Sequence, residues 1–382
     1  MRTRTSLLIL LCFAIFLLLF LFKVKESMVD FEVNYKAGKR LRMAETLYRV
    51  EDGHYMFKYL PSAAMLYIPL SFFPLDVAKG VWYFIVIICS VSLVFISGKI
   101  LTLKRDISSY VIILPPLILA RYFFREIQLG QINAVVTMGL FFMTWCMAKQ
   151  ENSQSSRREI CAGIFWGLGV ALKPYALIFF PYFVVKKKWK ALLSGVVFIV
   201  LAVVSPAFFY GIRGNAIVHK EWASTLSQST PSLLNSQDNI SIMALFMKWT
   251  GNQDVSLFLA GAIIAFLAFF VLFIIVRGKE MTQASVLECS VLLICIPLVS
   301  PLGWDYTLLM SVLGLMIIVH NFFRFSKFWR GVCVVNFFVI TFSLYDIMGR
   351  ELLARFMSWN VITINFLIVI SFLSYLRFRK VC

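Results

Sequence analysis

The chain has 382 residues, of which 60% are hydrophobic and 16% aromatic, and its mean hydropathy is +0.85. No soluble domain buries that much apolar surface, and no polar block is long enough to form one, so the chain is expected to be a single all-α polytopic membrane domain over 1–382. A net charge of +18 would suggest nucleic acid in a soluble protein; here the Lys and Arg lie in short runs between apolar stretches, the pattern of cytoplasmic loops, and no nucleic-acid partner is expected. The eight Cys are scattered without a CxxC pair, which argues against a disulfide framework or a zinc site.

The chain opens Met1-Arg-Thr-Arg-Thr and runs apolar from Ser6 to Phe22 without a small-x-small cleavage site, so it reads as an uncleaved anchor with its N-terminus inside. The segment 23–75 is then outside and carries an amphipathic stretch from Tyr35 to Arg49, expected to lie in the membrane interface. Asp30 sits where the chain leaves the first span. A carboxylate there is a candidate proton acceptor at the lipid–water boundary; the other reading is an acid that keeps a loop soluble. Further spans are expected at about 76–98, 108–124 and 131–148, with Arg121, Arg125, Glu126, Gln128 and Gln131 clustered at the outer end of the third.

The stretch from Ile160 to Val185 is apolar, yet Arg157-Arg158 precede it and Lys186-Lys187-Lys188 follow. One crossing would put one basic cluster outside. Lys173-Pro174 divides the stretch into halves too short to span, which predicts a broken, re-entrant hairpin with both ends inside and Lys173 near its turn. Such backbone must be buried in protein or line a cavity. A Lys at membrane depth is costly and suggests anion binding; snorkelling to an interface is the alternative. Spans at 190–210, 255–276, 282–300, 303–320, 331–347 and 358–376 complete about ten, with 211–254 as a second outer loop and the C-terminus inside. The first outer segment carries Lys and Arg against the usual rule, which suggests an anionic ligand or contact with lipid headgroups. Glu288, in or near a span, reads as buried and paired or as marking an inner end.

There is no P-loop, no GxGxxG, no GxSxG and no HExxH. An enzyme built this way would take a lipid-borne donor at an outer-face site.

Several segments together resemble glycosyltransferase family 87, membrane mannosyltransferases of the GT-C superfamily that use polyprenyl-phosphate sugars. The segments are Asp30-Phe31 with Tyr35 and Ala37, Phe57-Lys58-Tyr59-Leu60-Pro61 followed by Ile68-Pro69-Leu70 and Phe73-Pro74, and Gly130-Gln131-Ile132-Asn133. They continue with Ala162-Gly163 through Gly167-Leu168-Gly169-Val170-Ala171-Leu172-Lys173-Pro174-Tyr175, Asn239-Ile240-Ser241, and Ser300-Pro301-Leu302-Gly303-Trp304. Leu60 replaces a usual Pro, and Asp305, Tyr306 and Thr307 stand where the family commonly has a His pair.

The resemblance implies a GT-C fold and an inverting transfer of a hexose, mannose above all, from a polyprenyl-phosphate carrier to a glycolipid or polysaccharide at the outer face of a bacterial plasma membrane. Such chemistry needs a base, positive charge on the departing phosphate and a groove for the isoprenoid. Asp30 is the candidate base. Lys173, Arg125, Arg121 and Lys58 are candidate phosphate ligands, and Tyr306 is a candidate in place of the missing His. Gln131, Asn133, Trp304 and Tyr35 are candidates for sugar or acceptor; the amides read equally as helix caps and the Trp as an interfacial belt residue. The Asp30-x-Glu32 spacing is open to a divalent metal, but no cofactor is required by the resemblance. The other readings are a transporter or flippase of lipid-linked sugars, and a ligase or polymerase of lipid-linked glycans.

Overall fold

The computed structural model describes residues 14–102, 107–153, 155–277 and 284–379. Among them the secondary structure is helical, with one isolated β-bridge between Asn239 and Trp304. Residues 6–13 of the expected first span and the loop at 278–283 lie outside the described residues.

The chain descends as helix over 14–19, through a π-helical turn at Phe20–Val24 and a 3₁₀ turn at Lys25–Ser27, and bends at Met28. Helix α1 follows at Val29–Arg42, overlapping only the first half of the amphipathic stretch expected from Tyr35 to Arg49, and buries Phe31, Asn34, Ala37, Gly38 and Leu41 on one face. A Cβ on Gly38 would lie 2.7 Å from the Tyr67 backbone, so only glycine lets α1 seat against the segment at 65–72. Two ion pairs tie this entry to α2, Leu75–Leu101: Lys25 to Asp76 at 2.8 Å and Lys79 to Glu32 at 2.6 Å.

Helix α3 (Ser109–Ile118) carries Pro115 and Pro116 and ends at Leu119, where α4 (Ala120–Leu129) begins. Gly130 caps α4 in the left-handed region at φ 66° and turns the chain into α5 (Asn133–Ser153). Helix α6 (Ser156–Leu172) stops at Lys173, whose backbone is extended because Pro174 follows. A 3₁₀ turn (Pro174–Phe179) and α7 (Phe180–Val185) then run back along α6. Trp166 donates to the Ala176 carbonyl at 2.8 Å and lies 5.2 Å from the Phe183 ring, and Glu159 accepts the Lys190 N–H at 3.0 Å. The chain turns back at Lys173-Pro174, and Glu159, just before the segment, meets Lys190, five residues beyond its end.

Helix α8 (Trp189–Val204) packs on α6 at backbone contact: a Cβ on Gly163 would lie 2.0 Å from the Ala191 carbonyl oxygen, and one on Gly195 would lie 2.3 Å from the Trp166 ring. Glycines four apart on α6, at 163 and 167, are thus a packing stripe of the kind that brings membrane helices together. Helix α8 bends by 90° into α9 (Ala207–Leu233), and α10 (Ile242–Thr250) and α11 (Gln253–Arg277) follow. Helices α12 (Ala284–Val299) and α13 (Val312–His320), joined by a 3₁₀ segment over Asp305–Ser311, are buried around nearly their whole circumference and form the centre. Helix α14 (Lys327–Phe342) bends by 100° into α15 (Tyr345–Ser358), and α16 (Val361–Phe378) closes the chain.

Three helices, α2, α11 and α16, are long and apolar enough to cross a membrane, and five spans result if each bent pair counts as one. The expected ten full spans are therefore not reached among the described residues. The regions read as spans at 108–124, 282–300 and 303–320 hold helices of 10 to 17 residues, ended by proline or begun as 3₁₀ turns. Glu288 is buried and paired, accepting from Lys186 at 2.9 Å and from Arg377 at 2.7 Å, so it locks α12, the end of the hairpin and α16 together.

Candidate active site

Gly130 assembles the site. A Cβ there would lie 2.7 Å from the Phe31 side chain and 2.8 Å from Met28, and its carbonyl accepts from Trp82 at 2.8 Å. The start of α1 is thereby pressed against the turn between α4 and α5, which brings Asp30 toward Gln131 and Asn133. Asp30 lies in the first turn of α1, where the helix dipole favours a carboxylate. It is half-buried, on the side of α1 from which its charge is felt at Lys58, Tyr59, Glu126, Lys173 and Tyr306.

Two hydrogen-bonded runs cross this cluster. In the first, the Tyr59 hydroxyl donates to Gln131 Oε1 at 3.2 Å, and Gln131 Nε2 donates to the Tyr306 hydroxyl at 3.0 Å. In the second, Lys173 Nζ and the Tyr175 hydroxyl donate to Asn133 Oδ1 at 2.6 and 3.0 Å, and Asn133 Nδ2 donates to Glu126 at 2.8 Å. Lys173 also faces the Tyr59 ring at 4.9 Å, a cation–π contact that links the two runs. Lys173 is buried, at 5% exposure, rather than snorkelling to a surface. One of its three N–H bonds goes to Asn133. The Asn133 side chain is not the cap of α5: Glu126 takes the Ala134 N–H at 2.7 Å and so serves the helix start in its place.

Burial pulls Lys58 below the usual lysine value, with Asp30 opposing, and burial pushes Glu126 up against the pull of Asn133, Ala134 and Lys173. The two arginines stand beside the cluster with their charges matched. Arg121 and Arg125 both donate to Asp305 Oδ2, at 3.1 and 2.8 Å, and Arg125 reaches Asp238 at 2.9 Å. Arg121 also donates to the Ser343 carbonyl. Burial raises and Arg125 lowers Asp238, with a net depression. The two arginines named as candidate phosphate ligands are thus each engaged with acids. These residues brace α4, the 238 loop, the 305 segment and the end of α14. Asp305, in the place of the commonly found His, is what draws the guanidinium groups there.

Trp304 lies near-parallel to Tyr306, 17° between planes with centroids 6.4 Å apart. It is held by pairing of the Asn-x-Ser and Ser-Pro-x-Gly-Trp segments: Ile240 N donates to the Gly303 carbonyl at 2.6 Å, and Asn239 bonds Gly303 N at 3.1 Å and the Pro301 carbonyl at 2.9 Å. Gly303 is required because a Cβ would fall 1.8 Å from the Pro297 oxygen. Tyr35 points away from the cluster and donates to the Phe73 carbonyl at 2.8 Å. Glu32, the second acid of the spacing weighed for a metal, is paired with Lys79.

A half-open groove of about 550 Å³ leads away from Lys58 and Tyr175, walled by Trp222, Leu226, Ile296 and Val299. A smaller apolar cavity of about 120 Å³ shares Ile178 and Val299 with it and continues between the hairpin, α11 and α12. Lys58 and Tyr175 stand at the polar edge of the groove, and its other lining is mostly apolar, with Thr230 and Ser300 among it.

Three members of the cluster, Tyr59, Tyr175 and Glu126, stand in segments noted in the sequence but were given no role there. The tyrosines directly follow or lie two residues beyond Lys58 and Lys173, and an acid within an apolar stretch, one turn before Gly130, was the available signal for Glu126.

The model of a family described as Glycosyltransferase family 87 matches residues 57–301. No curated protein and no solved structure matches the chain. Asp30, Trp304 and Tyr306 lie beyond the matched residues, whereas Lys58, Gln131, Asn133 and Lys173 lie within them. The match spans well over half of the chain, which therefore belongs to glycosyltransferase family 87 and is a glycosyltransferase with membrane helices.

Proposed function

We propose that this glycosyltransferase moves a hexose, mannose first, from a polyprenyl-phosphate sugar to a glycolipid or polysaccharide hydroxyl at the outer face of a bacterial plasma membrane. The observation that carries the reading is the juxtaposition of a buried ammonium, a half-buried carboxylate and an apolar groove. Lys173 and Lys58 supply positive charge for the departing phosphate, and two donors to one anion in a dry site are stronger than in water. The Tyr306 hydroxyl, which accepts from Gln131, keeps its proton for the same phosphate or a sugar oxygen. The groove beyond Lys58 and Tyr175 takes the isoprenoid.

Asp30 is the base that removes the proton of the acceptor hydroxyl as its oxygen attacks the anomeric carbon from the face opposite the phosphate. The bond from that carbon to the phosphate oxygen breaks, and the electron pair leaves on the carrier. One base suffices for inversion. Gln131 orients Tyr306, Trp304 backs its ring, and Arg125 and Arg121 hold the 305 segment in place. The enzyme is a multi-pass protein with cytoplasmic termini. A flippase would need no carboxylate at the end of the first span, and a glycan ligase would carry paired Arg and His in its outer loop.

The test is release of mannose from radiolabelled polyprenyl-phosphate-mannose by the purified protein in nanodiscs, native against Asp30→Asn. A fall of about 10²–10⁴-fold in the variant is expected for loss of a general base. Equal turnover in both would remove Asp30 from the chemistry. No turnover in either, with the carrier still bound, would point to a different donor, a required acceptor or transport.

A further inference from the structure

Glu126 is fully buried, and each of its carboxylate oxygens faces a donor: Oε1 the Ala134 N–H at 2.7 Å, Oε2 the Asn133 amide at 2.8 Å. A carboxylate accepts and does not donate, whereas an amide does both. The Asn133 side chain consequently has one orientation. Its NH₂ faces Glu126 and its oxygen faces Lys173 Nζ at 2.6 Å and the Tyr175 hydroxyl at 3.0 Å. Reversed, the amide would set its oxygen against a carboxylate and its NH₂ against an ammonium, two repulsive contacts in a buried place.

Resting on the donor-phosphate reading of Lys173 given above, we propose that Glu126 is a positioning residue that aims Lys173 through the Asn133 amide. The three groups come from three elements: α4, the start of α5, and the break in the hairpin. The acid is therefore the part of the rigid turn around Gly130 that fixes where the ammonium points. Removing it leaves Lys173 buried but no longer held to one direction.

The chemistry makes a distinctive prediction for an exchange of acid and amide. In Glu126→Gln the new amide satisfies Ala134 N–H with its oxygen and turns its NH₂ to residue 133. Asn133 must then flip, and its own NH₂ meets Lys173. In Asn133→Asp two carboxylates face each other. In the double variant, Glu126→Gln with Asn133→Asp, the aspartate accepts from the glutamine NH₂ and from Lys173, and the pattern closes again.

The four proteins would be compared in detergent for melting temperature and for binding of polyprenyl phosphate, the carrier without its sugar. Each single variant is expected to melt lower and to bind the carrier about tenfold more weakly or worse, the loss that goes with a hydrogen bond to a charged group. The double variant is expected to recover both. A single variant that does not fold is read in the same way, because the exchange must then restore folding. A purely space-filling role would leave the near-isosteric Glu126→Gln unchanged, and that result would overturn the proposal. A double variant no better than the singles would overturn it as well, as would singles that melt lower yet bind the carrier normally. Recovery of melting temperature in a set whose native member does not bind polyprenyl phosphate would support the acid–amide–ammonium linkage and sink the donor reading instead.

Discussion

Lys58 shows how a functional charge is held at a cost to the fold. Its ammonium is half-buried beside Asp30, and burial lowers its affinity for a proton below that of the unfolded chain, where the ordinary value is 10.5. The folded form thus binds fewer protons than the unfolded form between the two values, and stability rises with pH across that window. Below the folded value both forms are protonated and the penalty is fully present. Lys58→Met is therefore expected to melt higher than the native protein at pH 7, with the advantage shrinking as pH approaches 10.5, while carrier binding weakens. A melting series against pH checks the first statement, and a variant less stable at neutral pH would refute it. Asp305 differs in its partners. It is wholly buried and takes two arginines. Asp305→Asn removes the acid that the two arginines share, Arg125 keeping Asp238 and Arg121 the Ser343 carbonyl, and is expected to cost up to about 3–5 kcal/mol, the loss on breaking one side of a buried ion pair. A melting temperature equal to the native one would show that the brace contributes nothing. Neither pairing was readable beforehand, since Arg125 meets acids 113 and 180 residues away in the chain. Lys173 drew notice in the sequence because a charge within an apolar stretch needs a reason, and its burial agrees with that.

Helices meet here through absent side chains as much as through present ones. The hairpin announced itself in the Lys173-Pro174 break and its two basic flanks, and Trp166 beside Phe183 is its physical form. The reason for the Ala162-Gly163…Gly167 pattern was not visible until α8 was laid against it. Gly163→Val would drive a branched side chain into the Ala191 carbonyl and force α6 and α8 apart, for about 1–3 kcal/mol or more. Gly261→Ala, on a helix face with open space, is the control and should be neutral or better. Equal melting of both variants would contradict the packing account. Element counting failed for a related reason. A hydropathy window registers length and composition, and it does not register that Ser205-Pro206 and Ser343-Leu344 turn the chain by 90° and 100°. It likewise cannot tell a continuous helix from a 3₁₀ segment followed by nine α-helical residues, as at Asp305–His320.

The arrangement across the bilayer follows from where the charges lie and is testable as a unit. The proposed topology puts the ends of the hairpin inside and α9 outside. With the eight native cysteines changed to Ser, Ser227→Cys is expected to react with a membrane-impermeant maleimide in intact cells. Arg157→Cys is expected to react only after permeabilisation. Labelling of Arg157→Cys in intact cells would break the hairpin topology and with it the outer-face site. The helical membrane class, the family resemblance and the break at Lys173-Pro174 came from the amino-acid order, because burial and charge costs in a membrane are large enough to leave marks in composition and spacing. The pairing of Arg121 and Arg125 with Asp305 and Asp238, the seating of Asn133 between Glu126 and Lys173, and the true lengths of the spans required the folded chain. They depend on contacts between segments far apart in sequence and on bends of a few residues, and neither has a period or a composition to read.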